Sequence, residues 1–135
     1  MKVESEHPHG FDLGPLEAEV MRLVWEMGEV GVDEVHRTLQ AGRPIAYTTV
    51  MTVMSRLAGR GLLERRKEGR AYLYRAAVAR ESLAGSTLKE WVQRYWGGKL
   101  MPAVSLLLAS EKLTPEEVET LRKLVDQLSG KEGDR

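Results

Sequence analysis

From Leu13 onward, apolar residues recur at helical spacing. Leu16, Val20, Leu23, Val24 and Met27 share one face of a first helix. It is entered at Gly14-Pro15, where the missing proline N–H costs nothing, and stopped by Gly28. Glu17 and Glu19 sit at the positive end of its dipole. Val30-Gly31-Val32 reads as a short extended stretch, and Asp33 as the cap or opening residue of a brief second helix. That helix turns Val35 and Leu39 inward and ends at Ala41-Gly42, with Pro44 marking the next turn. A third helix is predicted over Tyr47 to Arg60, with Val50, Val53, Met54 and Leu57 at i, i+3, i+4 and i+7 and Gly61 as the left-handed residue that closes it. Two alternating runs, Leu62 to Lys67 and Ala71 to Arg75, joined through Glu68-Gly69, predict a β-hairpin. Helix, short helix, helix and hairpin is the order of a winged helix-turn-helix, here spanning residues 13–77.

The pattern then changes. A helix from Glu81 to Trp96 carries Leu88, Trp91, Val92 and Tyr95 as one stripe and breaks at Gly97-Gly98. A second, from Leu100 to Ser110, places Leu100, Val104, Leu107 and Leu108 together, with Leu106 also apolar. A third opens with a capping box, Thr114-Pro115-Glu116-Glu117, and continues through Val118, Leu121, Val125 and Leu128. Three short helices this apolar cannot bury their stripes alone. Residues 78–129 are therefore expected to form a helical dimerisation region through Leu88, Trp91, Val92, Tyr95, Val104, Leu107, Leu108, Leu121 and Val125, a ligand pocket being the alternative use of the same stripe. Residues 1–12 read as a flexible arm and 130–135 as a polar tail. The expected fold class is mainly α with a small β-hairpin, an α+β arrangement.

Charge alters the picture more than bulk composition does. The 135-residue chain balances 20 basic against 20 acidic side chains, which by itself argues against a polyanionic partner. The distribution reverses that impression: residues 1–42 hold 3 basic and 9 acidic side chains, residues 43–75 hold 8 and 2, and residues 76–135 hold 9 of each. A basic block confined to the third helix and hairpin concentrates a positive field there and leaves the acidic first third to face away. Cysteine is absent, which removes disulfides, thiolate metal sites and cysteine nucleophiles together. No apolar run approaches the roughly 18–20 residues of a membrane span, so membrane insertion is not expected and the cytoplasm is the expected location.

On a helical wheel, Thr48, Thr52, Ser55 and Gly59 lie opposite the apolar stripe of the third helix, with Thr49, Arg56 and Arg60 to one side. A merely solvated face would more cheaply use Glu, Lys or Gln. Small hydroxyl side chains instead let a backbone approach a major groove closely, and Arg56 can reach guanine or phosphate. The hairpin cations Arg65, Arg66, Lys67 and Arg70 then become a wing on the adjacent phosphates. Together with Tyr47 at the helix start, these are the expected DNA-binding residues. Tyr72 and Tyr74 alternate with Leu73, so either the two tyrosines or Leu73 can face the core, and a structural role is expected for both tyrosines in preference to DNA contact. His7 and His9, with Glu4 or Glu6, are the one weak candidate for metal ligands, and a mobile arm accounts for them better. His36 reads as a surface histidine among Asp33, Glu34 and Arg37. No nucleophile elbow, phosphate loop or paired-carboxylate motif is present, so no enzyme, cofactor or metal is expected.

From Leu13 to Leu128 the chain resembles the BlaI/MecI penicillinase-repressor family. The likeness is most specific in Thr49-Val50-Met51-Thr52-Val53-Met54-Ser55-Arg56-Leu57, in Gly61-Leu62, and in the wing Glu68-Gly69-Arg70-Ala71-Tyr72-Leu73-Tyr74. Leu16-Glu17-Ala18-Glu19-Val20-Met21 with Trp25, the Gly97-Gly98 break and Leu113-Thr114-Pro115-Glu116-Glu117 support it. The resemblance implies a homodimeric winged-helix repressor that sits on palindromic double-stranded operator DNA and is removed by an inducing signal. In β-lactam-responsive members a membrane sensor triggers cleavage in the C-terminal domain, at a bond that by position falls near Ser105-Leu106. Two departures stand out. Ala46-Tyr47-Thr48 replaces the serine cap and basic residue with which some members begin the recognition helix, and the cysteine-rich tail of copper-responsive relatives is absent. The competing class is a winged-helix protein–protein module whose basic hairpin meets an acidic partner.

Overall fold

A computed structural model of the chain describes residues 13–133. The expected arm, with Glu4, Glu6, His7 and His9, lies outside the described residues. The elements run α1 (Pro15–Met27), β1 (Val30–Gly31), α2 (Val32–Gln40), α3 (Tyr47–Gly59), β2 (Leu63–Glu68), β3 (Ala71–Ala76), α4 (Arg80–Trp96), α5 (Leu100–Ala109) and α6 (Pro115–Gly133). The three strands form one antiparallel sheet in the order β1-β3-β2, with Val30 opposite Tyr74 and Arg65 opposite the same tyrosine from the other side. This is an α+β winged helix followed by helices.

The chain divides into two compact units, the first reaching Leu88 and the second beginning at Lys89, so the division falls inside α4. In the first unit the stripes of α1, α2 and α3 meet around Val20, Val24, Val35, Val50, Met54 and Leu57, all at most 1% exposed, and the core is closed by Leu63 and Tyr74 of the sheet and by Leu62 just before β2. Burial of this kind stabilises by about 25 cal/mol per Å2 of apolar surface, enough to hold α3 rigidly from behind. The first turns of α4 belong to the same core. Leu83 is buried in it, and the Trp25 indole N–H donates to the Val78 carbonyl at 2.9 Å. The unit therefore continues past the limit expected at residue 77.

Local chemistry moves several boundaries. Gly31, not Asp33, precedes the second helix: its N–H donates to the Glu34 carboxylate at 3.0 Å, and Asp33 lies in the first turn, paired with Arg37. In α1 the buried stripe takes in Met21, whereas Met27, at the last residue of the helix, runs past the core and is exposed. The ladder carries on to Glu68 opposite Ala71, so the hairpin turn is Gly69-Arg70 instead of Glu68-Gly69. Gly69 has φ +64° and Arg70 has no positive φ, the pattern of a type II′ turn. α6 extends to Gly133, beyond the end expected near Ser129.

The second unit is built of the predicted helices. Thr114 and Glu117 form the reciprocal capping box, Thr114 N–H donating to the Glu117 carboxylate at 2.9 Å and Glu117 N–H to the Thr114 hydroxyl at 3.1 Å. The break after α4 is made by Gly97 and Gly98, both at positive φ. Ala103 is the only buried residue among residues 89–130. Trp91, Tyr95, Leu107 and Val125 are all more than half exposed. Among the described residues no helix is long and apolar enough to cross a membrane.

Candidate nucleic-acid interface

The buried stripe of α3 decides what its other face presents. Because Val50, Val53, Met54 and Leu57 are held in the core, Thr48, Thr49, Thr52, Ser55 and Arg56 are all exposed, as is Tyr47 at the start of the helix. The N-cap, Ala46, supplies no side-chain hydrogen bond. The first turn of α3 is held instead from outside. The His36 Nε2–H donates to the Ile45 carbonyl at 2.8 Å, and the imidazole meets the Tyr47 ring edge-on at 5.6 Å. His36 is thus a half-buried support for the helix entrance and not the plain surface histidine expected from its neighbours. Arg43 donates two hydrogen bonds to Glu19 of α1, at 3.2 and 2.6 Å, and these hold the Glu19 carboxyl below its ordinary pKa. At the far end, Arg60 reaches Glu17 of α1 at 3.4 Å. The helix is tied to α1 at both ends.

On the wing, the side chains of β2 alternate. Arg65 lies over the Tyr72 ring, 4.3 Å from its centroid, and donates to the Tyr74 hydroxyl at 3.3 Å; Lys67 lies 5.7 Å from the same ring. Tyr74 is the tyrosine that faces the core and Tyr72 the one left exposed. Arg66 points the other way, donating to Glu29 at 2.8 and 3.0 Å and to Glu68 at 2.6 Å. The hydrogen bonds from Arg66 hold the Glu29 carboxyl below its ordinary range. Arg70 occupies the turn.

Between α3, the start of α2 and the wing runs a groove of about 1060 Å3, lined by Tyr47, Met51, Thr52, Ser55 and Arg56 on one wall and by Arg65, Arg70 and Tyr72 on the other. It gathers six of the eleven residues expected to touch DNA, Lys67 lying beside it over Tyr72. Thr48 and Thr49 are exposed on α3 outside the groove, while Arg60 and Arg66 are engaged with carboxylates. Sequence reasoning missed Met51, which is exposed and lies one turn beyond Tyr47 on the same stripe; that spacing was the available signal. It also missed Glu29, whose role depends on a partner far along the chain.

A helix presented by its buried back, with hydroxyls and arginine in front and a cationic hairpin beside it, defines a winged helix-turn-helix protein of the kind that lies on duplex DNA. Residues 13–127 match the penicillinase repressor family, and the chain belongs to it. It is 35% identical over 125 residues to the transcriptional regulator BlaI of Mycobacterium tuberculosis, covering 91% of this chain and 89% of that one. With the penicillinase repressor of Staphylococcus aureus it shares 23% identity over 120 residues, covering 89% of this chain and 95% of the relative. A solved structure of Bacillus licheniformis BlaI in complex with the blaP half-operator aligns with a TM-score of 0.46 at 26% identity, over 53% of this chain and 88% of that one.

Proposed function

We propose that the protein is a sequence-specific transcriptional repressor that acts as a homodimer on palindromic operator DNA. The groove carries this reading. Its hydroxyl-lined helix wall suits base edges in the major groove, and its cationic wing wall suits the neighbouring phosphates. The second unit supports the homodimer: a 47-residue body that buries only Ala103 among its described side chains is too small to stand alone, and its exposed stripe of Trp91, Tyr95, Leu107 and Val125 calls for a partner copy. Induction by a membrane-linked sensor protease belongs to the same reading. The bond near Ser105-Leu106 lies within α5, where a cut would divide the dimerisation unit.

Nuclease footprinting on the promoter DNA next to the chain's own gene tests the proposal. The expected footprint is dyad-symmetric, with half-site centres about 10 bp apart or a multiple of that. An asymmetric footprint, or none at low salt, would remove the basis for a dimeric repressor. Within the site, Thr52→Ala and Arg56→Ala are each expected to cost about 1–3 kcal/mol on the preferred sequence and less on random DNA. Equal losses on both kinds of DNA, measured by titration, would show that α3 is not the reading helix.

A further inference from the structure

The five cationic side chains of the two wing strands and their turn are sorted by the pleat. Leu63, Arg65 and Lys67 of β2 share a face with Tyr72 and Tyr74 of β3, while Glu64, Arg66 and Glu68 share the opposite face with Arg75. At the base of the hairpin the first face is core, as buried Leu63 and Tyr74 show; farther out it becomes the wing wall of the groove, through Arg65 and Tyr72. Among the described residues no carboxylate pairs with Arg65, Lys67 or Arg70. On the outer face every cation is matched: Arg66 is held between Glu29 and Glu68, and Arg75 lies 2.9 Å from Glu64. Glu29 belongs to the turn after α1, so the Arg66 bridge ties the wing to the body of the first unit.

We propose that the wing is electrostatically two-sided: Arg65, Lys67 and Arg70 carry the phosphate contacts, and Arg66 is a positioning residue that braces the wing without touching DNA. The inference rests on the DNA-binding reading above. It separates residues that the basic run alone treats as equivalent. Arg65 reaches the groove already oriented, stacked on Tyr72 and bonded to the Tyr74 hydroxyl, so little side-chain freedom remains to be lost on binding. A phosphate that recruited Arg66 would have to break two ion pairs first.

The test is the dependence of log Kobs on log salt concentration for the full-length protein on random-sequence duplex DNA, because each phosphate contact releases counterions. Arg65→Ala, Lys67→Ala and Arg70→Ala are each expected to lower the slope by about 0.9. Arg66→Ala is expected to leave the slope unchanged while weakening binding about two- to fivefold, the range of an exposed ion pair. The swap of Glu29→Arg with Arg66→Glu, made together with Glu68→Gln so that the new glutamate meets no like charge, rebuilds the bridge and is expected to recover the affinity at the original slope. A slope that falls with Arg66→Ala as it does with Arg65→Ala, or that stays reduced in the swap, overturns the proposal. Salt-independent or undetectable binding by the unaltered protein would sink the DNA-binding reading itself, a result distinct from either.

Discussion

A chain ending at Leu88 is expected to stay folded, to sediment as a monomer, and to bind operator DNA roughly 10²–10⁴-fold more weakly than the full-length protein. The place of the cut follows from the core. A cut near Ala79 would spare the hydrogen bond from the Trp25 indole to the Val78 carbonyl but strip away Leu83, which is buried in the core of the first unit. A cut after Leu88 keeps both. The size of the loss follows from linkage, since two joined winged units turn the second docking into an intramolecular event. Within the full chain, Trp91→Ala removes a large exposed anchor and Leu107→Asp sets a charge into the same stripe. Both are expected to lower operator affinity through assembly, leaving half-site binding intact. Sedimentation paired with operator titration decides the matter: a monomeric truncated chain that binds as tightly as the full protein would break the proposed link between dimerisation and repression.

The parts of this protein that a sequence reveals are those governed by local period. The α3 stripe fixed both the buried residues and, by subtraction, the hydroxyl face, because four apolar positions at helical spacing admit one orientation. The capping box at Thr114 and the left-handed glycines at 28, 61 and 69 are equally local. What escaped depends on distant partners. Tyr72 and Tyr74 are equivalent in an alternating run, and β1, pairing with β3 through Val30 opposite Tyr74, belongs to the packing that tells them apart. The four basic residues from Arg65 to Arg70 look alike in sequence, whereas Glu29, more than thirty residues earlier, sets Arg66 apart. The unit limit at Leu88 was hidden for the same reason. A helix with a buried residue in its first turns and an exposed aromatic stripe later serves two units, and its period is the same throughout.

Leu57→Ala is expected to destabilise the first unit by about 2–5 kcal/mol, the range for truncating a buried leucine where the surroundings close only in part. Leu57 is fully buried near the end of α3, and its carbonyl accepts the Leu62 N–H at 3.0 Å where the chain turns from the helix into the wing. The cavity would open in the shared core on which the buried side of the reading helix rests. For a domain whose whole stability is of the order of 5–15 kcal/mol, such a loss brings the unit close to its unfolding threshold at physiological temperature. Operator affinity should fall with it, and the fall should deepen on warming. Self-association should not follow, because the exposed stripes of the second unit do not include this residue. Thermal unfolding, operator titration at two temperatures and sedimentation together separate the outcomes. A variant that unfolds early, loses the operator and still dimerises fits a reading helix held only by its own unit. If dimerisation is lost in step with the first unit's stability, the two units fold as one and the assignment of assembly to residues beyond Leu88 is wrong.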